Sequence, residues 1–343
     1  MCRGRYVAAH IEMAKTGGAE LEHAEQDMFL AERGKVAAPD HIASRDVDGC
    51  LISEQDVEFW RQNGFLRIPS VFTPEEMDDL ERDFEWLVSD WTEAGPGWQG
   101  PWRKVLMDEK TEEKSQLIAM HDLHHYSDSW MTAITKPSVG EALGKMIGPN
   151  VEVHHSTIHI KPADTGHPFP MHQDQPFYAH EDLRYACALI HLDDTYHENG
   201  EIRFLPGSHR NGYIKHITAE DDGYSTPHLP TSHFKHADTV AVPGKRGDIV
   251  FFNLCTVHGS YINQTDAQRR MVRVCYRNPE NKQIVGQSMN RPGVIVNGRR
   301  PREGGLAESS DAKLEAKPNT LKTSGDTYGS DIQMNWGTGT SKL

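Results

Sequence analysis

The chain has 343 residues and a formal net charge of −14 at pH 7, with 50 acidic side chains against 36 lysines and arginines. That balance excludes the basic footprint of a nucleic-acid or anionic-membrane partner, and no apolar run is long enough to span a bilayer. With no charged-then-apolar leader either, a cytoplasmic location is expected.

Residues 1–50 hold few large apolar side chains in any period beyond a weak helical stretch from Glu20 to Arg33, so a loosely attached arm is expected there. Ser53-Glu54-Gln55-Asp56 has capping-box form and opens a short helix carrying Val57, Phe59 and Trp60, which Asn63-Gly64 ends. Phe65-Leu66-Arg67-Ile68-Pro69 reads as a strand. Thr73 as N-cap, Pro74 at N1 and Glu76 at N3 then start a helix. Its Met77, Leu80, Phe84, Leu87, Val88 and Trp91 fall at three- and four-residue spacing, one apolar face suited to cover a sheet. Gly95 to Pro101 predicts a loop, and a further helical region ends at Lys145-Met146-Ile147-Gly148-Pro149.

From Val151 the texture becomes β-rich: Val151 to Ile160, Arg184 to Leu192, Glu201 to Leu205, Thr239 to Val242, Asp248 to Leu254 and Met271 to Arg277. Turn signals at Asn199-Gly200, Pro206-Gly207 and Pro243-Gly244 separate these runs. Many short strands with no helix-length segment between them predict a mainly β domain, a sandwich or jelly roll, with the flanking helices on one outer face. The predicted domain spans 51–301, and the polar, Gly-, Ser- and Lys-rich stretch 302–343 reads as a tail. Five cysteines (Cys2, Cys50, Cys187, Cys255 and Cys275) are odd in number and lack C-x-x-C spacing, which argues against a disulfide framework or a zinc–thiolate site. Cys187, Cys255 and Cys275 sit in apolar runs and are expected to be small buried hydrophobes.

His172-Gln173-Asp174 carries the chemistry that stands out. Two residues apart on an extended backbone, an imidazole and a carboxylate point the same way and can reach one metal ion. The pattern alone is weak in a chain with 20 histidines, because His180-Glu181-Asp182, His191-Leu192-Asp193 and His236-Ala237-Asp238 repeat it. His258, directly after the strand Asp248 to Leu254, supplies a third candidate ligand from a distant part of the chain. Two imidazoles and one carboxylate on one face of an octahedral ion leave three positions open, the arrangement of non-haem Fe(II) oxygenases. Arg269, eleven residues after His258, offers a guanidinium that could clamp a carboxylate. Alternation puts Arg269, Met271, Arg273 and Cys275 on one face of their strand and Arg270, Val272, Val274 and Tyr276 on the other. If helices cover the second face, Arg269 and Arg273 point inward; a rule that sends only apolar side chains inward chooses Arg270 instead.

His172-x-Asp174, His258-Gly259-Ser260 and Arg269 together resemble the motif set of the phytanoyl-CoA dioxygenase family of Fe(II)/2-oxoglutarate oxygenases. Lys161-Pro162, Asn199-Gly200, Pro206-Gly207-Ser208-His209, Gly247-Asp248 and the opening Gln62-Asn63-Gly64-Phe65-Leu66 match as well, so the resemblance covers roughly Leu51 to Pro301. It implies a cupin-like double-stranded β-helix in which His172, Asp174 and His258 hold Fe(II). Arg269, helped by Ser260, would hold the far carboxylate of 2-oxoglutarate. Dioxygen is the implied oxidant, a small molecule the substrate, and succinate and carbon dioxide the co-products. Asp174, where related halogenases carry a small residue, implies hydroxylation. Leu189 is aliphatic where a family member carries a tryptophan near the co-substrate, so an acyl-CoA substrate is not carried over. The competing reading is a cupin-like metal-binding protein or isomerase that uses no 2-oxoglutarate; such a protein has no need of Arg269 and Ser260.

Among the rival pairs, His191 with Asp193 leaves the spacing to Arg269 unexplained, His180 with Asp182 lies among charged residues and is expected to be solvated, and His236 with Asp238 reads as loop. The clusters His121, His124, His125 and His154, His155, His159 are expected to hydrogen-bond in a polar pocket rather than to hold a second metal. Arg273 has two open roles, an anchor for an anionic substrate group or a structural ion pair with an acidic neighbour. Substrate walls are expected from the loops Trp98 to Lys110, His121 to Trp130, Asp164 to Pro170 and Thr218 to His236.

Overall fold

The computed structural model describes residues 41–43 and 49–301. The expected tail and nearly all of the expected arm therefore lie outside the described residues. Helix α1 (Glu54–Asn63) starts as its cap predicts: Ser53 Oγ accepts the Asp56 amide, and the Asp56 carboxylate accepts the Ser53 amide at 2.7 Å. It stops at Gly64, whose φ of 79° is left-handed backbone that favours glycine. Strand β1 (Phe65–Ile68) and helix α2 (Pro74–Trp91) follow, with Thr73 and Glu76 forming a second capping box.

The single helical region expected next is interrupted. Strand β2 (Ala94–Gly95), helices α3 (Arg103–Leu106) and α4 (Glu109–Lys114) and strand β3 (Leu117–His121) precede α5 (Asp128–Ile134) and α6 (Pro137–Ile147). The remaining strands are β4 (Val151–Lys161), β5 (Phe169–His172), β6 (Tyr178–His180), β7 (Tyr185–His191), β8 (Ile202–Phe204) and β9 (Val240–Ala241). After them come β10 (Ile249–Asn253), β11 (His258–Ser260), β12 (Arg269–Arg277), β13 (Gln283–Gly286) and β14 (Ile295–Asn297), with a one-turn helix α7 (Ala219–Asp222) between β8 and β9.

Two antiparallel sheets form the domain. The larger runs β1-β10-β7-β12-β4-β3-β2, with β14 also on β4; the smaller runs β5-β11-β8-β9, and β13 pairs with β6 separately. The strand orders are far from sequential, as expected where strands alternate between the two sheets of a jelly roll. On the outer face of the larger sheet, Ile158, Ile160, Ala188, Ile190, Phe251, Val272, Val274 and Tyr276 pack against Val57, Trp60, Met77, Leu80, Phe84, Leu87, Trp130 and Leu143 of the helices. The apolar stripe on α2 thus finds its sheet, and full burial of a side chain such as Phe84 is worth about 1.5–3 kcal/mol. The inner face of that sheet gives Cys187, Leu189, Val250, Phe252, Met271 and Cys275, which meet Ile202 and Phe204 of the smaller sheet.

Helices therefore cover the Val272 and Tyr276 side of β12, and Arg269 and Arg273 point between the sheets. Arg270 lies outside, in ion pairs with Asp193, Glu81 and Glu85. β12 begins at Arg269 rather than Met271, because its pairing with β4 and β7 extends further than its apolar run.

Candidate metal and co-substrate site

β5 and β11 lie side by side in the smaller sheet, and their register sets His172 directly opposite His258. Gly259 permits that approach, since a Cβ there would stand 2.8 Å from both Met171 Sδ and the Phe169 carbonyl oxygen. Each imidazole is held by its own strand: His172 Nδ1 donates to the Pro170 carbonyl at 2.8 Å and His258 Nδ1 to the Thr256 carbonyl at 2.9 Å. A carbonyl can only accept, so the proton sits on Nδ1 and each Nε2 presents a lone pair. Both Nε2 atoms lie 3.7 Å from Asp174 Oδ1.

Asp174 reaches this point by a different route from the one alternation predicts. β5 ends at His172, and Asp174 sits in a turn with φ −78° and ψ −18°, its amide donating to the Leu254 carbonyl at 3.1 Å. Gln173 faces away and fastens the turn, with its side-chain amide donating to Gly212 O and Cys255 O and accepting from the Ile214 amide. Asp174 Oδ2 is held by the Tyr178 hydroxyl at 2.5 Å and the Cys187 thiol at 3.2 Å. Arg273 Nη1 contacts both carboxylate oxygens, at 3.0 and 3.1 Å. Burial alone would raise the Asp174 carboxyl, but Arg273, His258 and His172 outweigh it and hold the group below the usual carboxylate range. Burial, and for His172 the neighbouring His258, pushes both imidazoles below their usual range. The trio accordingly stands as one carboxylate and two neutral imidazoles, a donor set suited to a divalent transition metal.

The other end of the site is cationic. Arg269 is 1% exposed, and its Nε and Nη1 are buried with no hydrogen-bond partner. Opposite it on β4 stands Lys161, also buried, which donates to Ser260 Oγ at 2.7 Å and to the Tyr261 carbonyl. Burial pulls Arg269 down to about 9, and burial together with Arg269 pushes Lys161 well below the usual lysine range. Buried N–H groups without acceptors are costly, and a carboxylate seated on the guanidinium would satisfy them. One pocket joins the two ends: Arg269, Ser260, His172, His258 and Arg273 line it, with Trp98, His159, Phe169, Leu189, Ile202 and Phe252 among its walls.

The five residues singled out in the sequence are thus brought together. Lys161 was counted there only as part of a motif, although alternation from His159 already aims it inward. Trp98 comes from the start of the loop Trp98 to Lys110, one of those expected to form substrate walls. The rival pairs are placed elsewhere. His191 is buried with Nδ1 on the Leu189 carbonyl, while Asp193 faces out to Arg270. His180 is buried, not solvated: Nδ1 donates to Tyr178 O and the ring packs on His154 and Tyr185, which the charged neighbours Glu181 and Asp182 conceal in the sequence. His236 lies in a short 3-10 turn and donates from Nε2 to Phe169 O, bracing β5. His154 and His155 join Tyr185 in a hydrogen-bonded network, as expected of a polar pocket. Asp122, His124 and His125 also lie close enough to share an ion, but Asp122 is paired with Arg291 and His124 Nδ1 with Ser156 Oγ.

Among known proteins, the chain is 25% identical over 261 residues to an ectoine dioxygenase of Streptomyces coelicolor, covering 71% of this chain and 84% of that one. It is 26% identical over 242 residues to a probable alpha-ketoglutarate-dependent hypophosphite dioxygenase of Stutzerimonas stutzeri, covering 69% and 82%. In fold it is similar to EctD from S. alaskensis with bound Fe, at a TM-score of 0.54 and 20% identity over 76% of this chain and 92% of that one. The family described as phytanoyl-CoA dioxygenase (PhyH) matches residues 60–271, more than half of the chain. Taken with that match, the His172, Asp174, His258 and Arg269 pattern leaves one assignment: the chain belongs to the phytanoyl-CoA dioxygenase family of Fe(II)/2-oxoglutarate-dependent oxygenases.

Proposed function

We propose that this chain hydroxylates a small molecule, with His172, Asp174 and His258 holding Fe(II) and with Arg269, Ser260 and Lys161 receiving the far carboxylate of 2-oxoglutarate. The observation that carries the reading is Arg269, a buried guanidinium with two partnerless N–H groups in the same cavity as the two facing imidazoles. A cupin-like metal-binding protein without the co-substrate would have no use for that cation, which costs stability unless an anion meets it. Iron, 2-oxoglutarate and dioxygen supply the oxidising chemistry when bound, with succinate and carbon dioxide as co-products. The protein's own part is positioning and exclusion of water. Pro170 and Thr256 fix the imidazole tautomers, Tyr178 and Cys187 hold Asp174 Oδ2 so that Oδ1 faces the imidazoles, and Trp98, Phe169 and Phe252 wall the cavity with apolar surface. Lys161 orients the Ser260 hydroxyl by donating to it, so that the hydroxyl proton is left for an incoming carboxylate.

The sister activities named above act on small molecules, which supports a small-molecule substrate here. We place the protein in the cytoplasm; buried thiols at Cys187, Cys255 and Cys275 that form no disulfide support this, and no helix among the described residues is long and apolar enough to cross a membrane. The test is succinate release from 2-oxoglutarate under air, with Fe(II) and ascorbate, by folded protein. Slow turnover without substrate is expected; iron-loaded protein that neither binds 2-oxoglutarate nor releases succinate would refute the reading.

A further inference from the structure

Arg273 is a second inward cation on β12, four residues beyond Arg269 and opposite Thr157 of β4 and Leu189 of β7. Its side chain is 12% exposed, lines the same cavity, and sits with Cζ 5.7 Å over the Tyr178 ring. Of its donors only Nη1 is engaged, on Asp174; Nε is buried with no partner. Asp174 does not depend on this contact for its orientation, since Tyr178 and Cys187 already hold Oδ2. A divalent cation between His172, Asp174 and His258 would itself neutralise that carboxylate, leaving Arg273 without a counter-charge.

In the loaded site, Fe(II) brings two positive charges and Arg269 one, while Asp174 brings one negative and 2-oxoglutarate two; the sum is zero. Lys161 adds nothing if burial keeps it neutral, and only deepens the surplus if it does not. Arg273 then stands as an uncompensated buried cation facing the remaining space, an arrangement that is strongly unfavourable unless a ligand supplies the anion.

We propose that Arg273 is the substrate's anchor, and that the substrate is a small molecule carrying a carboxylate or similar oxyanion, which docks on the part of the guanidinium that lines the cavity beside the metal site. The inference rests on the reading of the site as an Fe(II)/2-oxoglutarate centre.

The test uses anaerobic full-length protein loaded with Fe(II) and saturating 2-oxoglutarate, which occupies Arg269. Small carboxylates such as propionate, isobutyrate and benzoate, each with its matched primary amide, are titrated calorimetrically, and the visible absorption of the iron–2-oxoglutarate complex is followed in parallel. Wild-type protein is expected to bind at least one carboxylate about 10- to 100-fold more tightly than its amide, the effect of a charge-assisted hydrogen-bonded pair. Arg273→Met should lose that discrimination while still forming the iron–2-oxoglutarate complex, which shows that it is folded, and Arg273→Lys should retain part of it. If Arg273 serves only as a counter-ion to Asp174, Arg273→Met will alter Fe(II) affinity and leave the discrimination intact. That result overturns the proposal, as does a wild-type protein that binds amides and carboxylates alike. Wild-type protein that forms no iron–2-oxoglutarate complex overturns the parent reading and this one with it, and that outcome is visible before any probe is added.

Discussion

Replacing Arg269 by methionine should move two measurable quantities in opposite directions. The side chain is 1% exposed, its Nε and Nη1 have no acceptor, and it lies in the cavity shared with His172 and His258. In the complex, the guanidinium would form charge-assisted hydrogen bonds to a carboxylate in a desolvated setting, where truncating one partner costs about 2–5 kcal/mol. Affinity for 2-oxoglutarate should therefore fall by roughly 30- to several thousand-fold. Without ligand the same substitution removes a buried, unpaired cation and keeps most of its volume, which is neutral or stabilising by about 1–4 kcal/mol. The assays are anaerobic titration of 2-oxoglutarate into Fe(II)-loaded protein and urea unfolding of the ligand-free protein. A variant that binds 2-oxoglutarate within about threefold of wild type, or that unfolds several kcal/mol more easily without it, would refute the reasoning.

Asp174→Ala removes the anionic ligand and leaves Arg273 unpaired, so Fe(II) affinity by chelator competition should drop by more than the roughly 10- to 100-fold typical of losing an outer-sphere partner; an unchanged affinity would place the metal elsewhere. Gly259→Ala drives a methyl group against Met171 and the Phe169 carbonyl and should cost about 1–3 kcal/mol, with weaker metal binding because His258 is pushed off register with His172. A stable variant with full Fe(II) affinity would contradict that packing. Stability should fall as pH drops from 7 to 5. Burial lowers His191 and His236 to about 4 in the folded chain, whereas the unfolded chain takes up protons near 6.5. Each such imidazole then contributes stability at pH 7 that is lost on acidification, about 2 kcal/mol per group by pH 5. Urea midpoints that stay level or rise over that range would show these histidines to be exposed to protonation in the folded state.

The helix starts at Ser53 and Thr73 were legible because a capping box is a local device, settled within four residues. The two faces of β12 were legible once helices were assigned to one of them, because Val272, Val274 and Tyr276 form an apolar set that Arg269 and Arg273 interrupt with period two. What escaped depends on partners distant in the chain. After the buried Leu117, β3 alternates between half-buried and exposed positions and becomes a strand by pairing with β4, so its own composition reads as more helix. β5 and β11 have four and three residues, too few for any period to show. Asp174 was placed by extended alternation but arrives through a turn held by Leu254 and Gln173, two contacts no short window contains. Lys161 is easily passed over because a lysine at the end of a strand usually faces water, although alternation from His159 aims it inward and its pairing with Arg269 encloses it.

A metal held by His172, Asp174 and His258 and a carboxylate held by Arg269 should both be visible in a crystal grown anaerobically with Fe(II) and 2-oxoglutarate, with data collected at the iron absorption edge. The expected map has a single strong anomalous peak between His172 Nε2, His258 Nε2 and Asp174 Oδ1, with one carboxylate of 2-oxoglutarate seated on Arg269 and Ser260. A peak at Asp122, His124 and His125 instead, or 2-oxoglutarate bound away from Arg269, would contradict it.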